Sequence, residues 1–245
     1  MRKPVLVAVA HGSADPRASA IIAELAAVAR EREPGLDLRT AFLGHAPPSL
    51  PQVLSTIEAD RDVTVLPLLL TAAYHSKADI PRILARTPRT RGPRVSYGAT
   101  LGPHPLLLDA LERRLTEVDP GTDPAGTAVV LAAAGSSDPE ANATIARMAA
   151  QWRARTGWFA VRPAYASAAE PPPAAAVTGL LRDGAPRVVV ATYLLAPGLF
   201  ADRIRHAALA AGASAVSPAL GACAEVADVM LDRFAQAVST RRTAA

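Results

Sequence analysis

Five histidines occur in 245 residues, and four of them stand where a short apolar run ends. His11 follows VLVAVA, His45 follows LRTAFLG, His75 follows VLPLLLTAAY, and His104 follows YGATLGP. Imidazoles on neighbouring loops suit divalent Co, Ni, Fe and Zn and leave coordination positions open to exchange. Histidine is also the commonest general base near neutral pH. Two of them on adjacent loops could hold a metal, accept protons, or do both in turn. Polar residues accompany the candidates. Ser13 and Asp15 follow His11, and Tyr74, Lys77 and Asp79 surround His75.

Each of these residues also has a plainer reading. His11 could cap a strand end beside the GSxD turn. Ser13 and Asp15 fit turn and helix-cap positions. Asp79 either orients a histidine as an outer acceptor or caps the helix opening at Ile80-Pro81. His104 precedes Pro105 at a helix start and is structural or lines the site. His206 lies inside a helical pattern and reads as a surface or packing residue. The arginine-rich run at 82–94 reads as a solvated face. Cys223 is alone, which excludes an internal disulfide and a cysteine-built zinc site.

The elements that must position these groups are written twice. VLVAVAHGSADPRASAIIAELAAVARE near the start is answered by AVVLAAAGSSDPEANATIARMAAQWRA. The GSxDP core recurs at 12–16 and 135–139, and later segments pair in the same order. A Pro, Gly and Asp-rich stretch, VDPGTDPAGT at 118–127, reads as the connector. The expected halves are therefore 1–118 and 127–245. Each alternates short apolar runs with helical patterns, which predicts an α/β fold: two similar doubly wound, flavodoxin-like domains with parallel sheets. Ligands in such sheets bind beyond the carboxyl ends of the strands, where the four histidines fall. In the second copy His11 is matched by Ala134, His45 by Ala168, His75 by Phe200 and His104 by Cys223. The second half keeps the folding signals and loses the imidazoles, so a chemical role is assigned to the first half.

Composition narrows the partners. Half the residues are hydrophobic, enough for a core, yet no apolar run approaches the roughly 18 residues that span a membrane. The apolar run after the initial basic residues is too short for a signal peptide, so a cytoplasmic protein is expected. The formal charge is +4, but the arginines are scattered and not interleaved with aromatics, against nucleic-acid binding. Arginines around a cleft serve a polyanionic small molecule equally well. No GxxxxGK[ST] phosphate loop and no GxSxG elbow occurs. A flavin or nucleotide site is disfavoured because HGSAD offers one glycine after the first strand.

HGSADPRA after the first strand and LLLTAAYHSKADIP after the third resemble the class II chelatases, the sirohydrochlorin cobaltochelatases and ferrochelatases. HGS alone is weak; its combination with PLLLTAxYHxxxDIP is specific. The resemblance extends over nearly the whole chain, as the long duplicated form. It implies a lyase that inserts Co2+ or Fe2+ into sirohydrochlorin or a close relative, for cobalamin or siroheme biosynthesis. It implies no organic cofactor and no ATP, the metal being substrate. It implies a tetrapyrrole bound between two lobes, with an active first half, a degenerate second half as the other wall, and one chain acting as an intramolecular pseudo-dimer. Carried onto this sequence, His11 and His75 are the catalytic and metal-binding pair. Ser13, Tyr74, Lys77 and His104 are candidate substrate contacts, and Asp79 an outer partner. Gly44 stands where the family often has an acidic residue, and His45 is the candidate third ligand. The competing reading of the same histidines is a carrier that binds metal or tetrapyrrole without turnover.

Overall fold

The computed structural model describes residues 4–72, 79–86 and 93–243. It contains eight strands and eight helices among these residues, strictly alternating. The strands are β1 (Val5–Ala10), β2 (Leu38–Phe42), β3 (Asp62–Pro67) and β4 (Arg94–Tyr97), then β5 (Thr127–Ala133), β6 (Ala160–Tyr165), β7 (Arg187–Tyr193) and β8 (Ala215–Val216). The helices are α1 (Pro16–Arg32), α2 (Leu50–Ser55), α3 (Ile80–Arg86), α4 (Pro105–Val118), α5 (Pro139–Arg155), α6 (Pro173–Arg182), α7 (Leu199–Ala210) and α8 (Ala224–Thr243).

Two four-stranded parallel sheets result, ordered β2-β1-β3-β4 and β6-β5-β7-β8. The order is the same in both, as the sequence repeat predicts. All six residues of β1 and all seven of β5 are buried, because a central parallel strand is covered on both faces. On one face of the first sheet, Val5, Val7 and Val9 pack with Val63 and Val65 against Leu50, Val53 and Leu54 of α2 and Ile80 and Leu84 of α3. In the second sheet the matching cluster joins Val130 and Val190 to Val177 and Leu180 of α6 and Ile204 of α7. The first helix of each half starts as its sequence dictates. Asp15 accepts from the Arg17 N–H at 2.9 Å and Asp138 from the Glu140 N–H at 3.0 Å, each with proline in the first helical turn.

The compact units differ from the repeat halves 1–118 and 127–245. One unit comprises residues 1–106 with 222–245, and the other 107–221. Each half therefore gives its last helix to the other unit. In the first unit α8 packs on α1 and the sheet; Asp228 pairs with Arg32, and Arg241 reaches Asp62 at 2.6 Å. In the second unit the Glu112 carboxylate of α4 accepts from the buried Trp152 indole at 2.7 Å, and Asp109 pairs with Arg155. Leu107, Leu111 and Leu115 of α4 are buried, each contributing about 1.5–3 kcal/mol. The amphipathic pattern of a terminal helix says that a face is covered but not which sheet covers it, so sequence alone put the boundary in the connector. Among the described residues no helix is long and apolar enough to cross a membrane.

Candidate active site

The loop after β2 is built to bring its residues to the end of β1. The Leu43 N–H donates to the Ala10 carbonyl at 3.0 Å, and the Gly44 N–H to the His11 carbonyl at 3.2 Å. The loop then closes on itself, with the Phe42 N–H donating to the Pro48 carbonyl at 2.9 Å. Gln52 in the first turn of α2 accepts from the Ser49 N–H at 2.8 Å and fixes the exit. Gly12 has φ +89°, and a Cβ there would stand 1.7 Å from the Gly44 carbonyl oxygen. Only glycine allows this approach.

His45 takes a left-handed backbone conformation, φ 61°. The same loop in the second unit repeats the backbone features but not the Ser49–Gln52 cap, since α6 follows Pro172 with no side-chain cap bond. Ala168 has φ 56°, Gly135 has φ +85°, and the Ser167 N–H donates to the Ala134 carbonyl at 2.9 Å. The positive φ at His45 is thus set by the loop and is not strain stored for chemistry. What differs is the side chain, imidazole in one unit and methyl in the other.

That conformation brings His45 to His11. Their ring centroids lie 6.4 Å apart with planes inclined by 20°, and both side chains reach solvent. The His11 Nδ1 lies 3.0 Å from the Gly12 carbonyl oxygen. A carbonyl only accepts, so this contact is a hydrogen bond in the tautomer with the proton on Nδ1, which leaves the Nε2 lone pair for a metal. Two imidazoles on one metal, with bonds of about 2.0–2.1 Å, place their centroids roughly 4.5–6.5 Å apart depending on the angle at the metal. At 6.4 Å the observed pair would need its two nitrogens nearly opposite each other on the ion, and it must close to roughly 5.2 Å for a tetrahedral site. Both histidines line a pocket of about 340 Å³ with Leu43, Gly44, Asp79, Arg82 and Ile83. An added Cβ on Gly44 would meet nothing within 4 Å, so a side chain at this position has room.

The other predicted residues fall as follows. His75, Tyr74 and Lys77 lie outside the described residues. Asp79 is in the pocket, half-buried, immediately before α3. Ser13 accepts from the Asp15 N–H at 3.0 Å, and Ser136 does the same for Asp138, so this bond belongs to the turn both units share. His104 does not line the pocket. Its Nδ1 accepts from the Leu106 N–H at 3.3 Å, and its Nε2 lies 3.8 Å from Asp232 of α8. That arrangement caps α4. Among the described residues no group of three or more His, Cys, Asp or Glu side chains could hold a metal. Arg82 is the pocket residue that sequence reasoning missed, hidden in a run that reads as a solvated face.

A duplicated, doubly wound α/β protein with imidazoles at the strand ends of one unit alone is thereby defined. The chain belongs to the CbiX family, which matches residues 5–118 and, separately, 128–237. It is 29% identical over 204 residues to the sirohydrochlorin cobaltochelatase of Priestia megaterium, covering 81% of this chain and 66% of that protein. It is likewise 29% identical over 148 residues to the sirohydrochlorin ferrochelatase of Bacillus subtilis, covering 59% of this chain and 55% of that one. The chain thus spans two thirds or less of the length of these two relatives. The fold is similar to that of SirB from Bacillus subtilis with Fe3+, at a TM-score of 0.84 over 98% of both chains and 23% identity.

Proposed function

We propose that this protein inserts a divalent metal, Co2+ or Fe2+, into sirohydrochlorin or a closely related tetrapyrrole. The observation that carries this reading is the His11–His45 pair at the strand ends of one unit, in a chain of the CbiX family. The relatives named above are cobalt and iron chelatases of that macrocycle. The metal is a substrate, held by His11, by His45 and by His75, which follows β3 in the sequence.

Insertion exchanges M2+ for the two pyrrole N–H protons, so two protons must leave as the metal enters. As the metal passes to the ring its histidines are released, and each freed imidazole accepts one proton. Asp79 at the pocket wall orients the histidines or takes part of the metal's charge. Tyr74 and Lys77 contact the macrocycle, and no organic cofactor enters the reaction. The two units of a single chain supply what two copies of a one-unit protein would supply together, and the cytoplasm is the place of the reaction.

The test is anaerobic. The full chain is mixed with sirohydrochlorin and Co2+, then separately Fe2+, and the macrocycle's absorption is followed. Multiple turnovers that are lost in His11→Ala are expected. No acceleration over the protein-free rate, with retained binding of metal or macrocycle, would leave a carrier instead.

A further inference from the structure

We propose that Arg82 anchors a carboxylate of the macrocycle at the rim of the His11–His45 pocket, and so sets the preference for an acidic tetrapyrrole. The proposal rests on the metal-insertion reading and names the residue that recognises its organic substrate.

Three observations carry it. Arg82 is exposed on α3 and lines the same pocket as both imidazoles. Most arginines of this protein are committed. Arg32 grips Asp228, Arg61 pairs with Asp37, Arg155 with Asp109, Arg187 with Asp119, and Arg241 with Asp62. No hydrogen bond or ion pair joins the Arg82 side chain to another described residue. Arg153, Arg182 and Arg203 share that condition, but they belong to the second unit, whose strand ends carry no imidazole.

The charge pattern then points to the ligand. Two imidazoles and a carboxylate attract a dication. An unneutralised guanidinium at the same wall repels one, in proportion to the product of the charges. A pocket made for metal alone gains nothing from Arg82. A pocket that takes a dication together with a polycarboxylate gains from both ends. The guanidinium fork matches a carboxylate in bidentate geometry, which lysine or histidine does not. A volume of about 340 Å³ is at the small end for ligand pockets. It admits the metal and a carboxylate-bearing edge of the ring.

Full-length wild type, Arg82→Ala and Arg82→Lys are compared in two assays. One measures Co2+ binding without macrocycle; the other measures insertion with sirohydrochlorin varied. In Arg82→Ala the KM for sirohydrochlorin rises roughly 10- to 100-fold, the loss expected for a charge-assisted hydrogen bond. Its kcat stays within about threefold, Co2+ affinity is unchanged or tighter, and Arg82→Lys recovers part of the KM. An unchanged KM, an equal loss of Co2+ affinity, or a defect confined to kcat overturns the proposal. If the wild type shows no turnover, the insertion reading fails by itself. Arg82 is then judged by absorbance titration of sirohydrochlorin alone. Weaker binding in the alanine variant that lysine restores supports it, and equal binding overturns it.

Discussion

The imidazoles of His11 and His45 lie nearly parallel, 6.4 Å between centroids, although one follows β1 and the other follows β2. Two backbone hydrogen bonds and one left-handed residue produce this relationship. His45→Ala keeps the loop, because Ala168 adopts the same conformation in the second unit. The variant is expected to fold as the wild type does and to lose Co2+ affinity at least about tenfold, or about 1.4 kcal/mol. Calorimetric titration of the metal checks it. Unchanged affinity would remove His45 from the metal site.

Gly44→Glu supplies the carboxylate that the loop lacks. The site has room, since an added Cβ meets nothing within 4 Å, and Gly44 has no positive φ that a side chain would strain. A carboxylate beside two imidazoles makes a three-donor set of the kind found in open metal sites. Co2+ and Fe2+ binding should tighten by roughly tenfold or more with little change in the urea midpoint. Weaker binding would mean that the loop aims this side chain away from the pair.

The fold was legible where its signals are local. Alternating apolar runs, the two Asp-Pro helix starts and the repeated GSxDP turn all lie within a few residues, and α1 and α5 begin at the prolines of those two pairs. The exchange of α4 and α8 was not legible, because an amphipathic stripe carries no address. In the site, His11 was legible from its position after an apolar strand. His45 was legible as a third ligand beside His11 only through the family resemblance; the left-handed backbone that turns it there has no fixed sequence signal. Arg82 was missed because nothing in the run 82–94 tells a paired arginine from an unpaired one.

Gly12→Ala and Gly135→Ala form a matched pair. Each added methyl strikes a backbone carbonyl oxygen, at 1.7 Å from Gly44 and 1.9 Å from Ser167, and each glycine has a positive φ. Both variants should lose about 2–4 kcal/mol of stability by urea denaturation. Only Gly12→Ala should also weaken Co2+ binding in the folded protein, since its loop holds His11 and His45. Equal metal binding by the two variants would show that the close approach at Gly12 serves the fold alone.

The exchanged helices predict how the chain behaves when cut. A protease site placed within 120–126 and cleaved in the folded protein severs the connector but none of the contacts of α4 or α8. Within the second unit Trp152 still donates to Glu112 and Arg187 still pairs with Asp119. Within the first, Asp228 and Arg241 still hold α8 to Arg32 and Asp62. The two fragments should co-elute in gel filtration and part only in denaturant. An ordinary interface between self-sufficient halves would also keep them together, so a second measurement decides. Each purified fragment has a sheet face that its missing helix should cover, and it is expected to show no cooperative thermal transition alone and to regain one on mixing. A fragment spanning 1–119 that melts cooperatively as a monomer would show that α8 is dispensable to the first unit, against the buried Val226, Val229 and Met230 that bind it there.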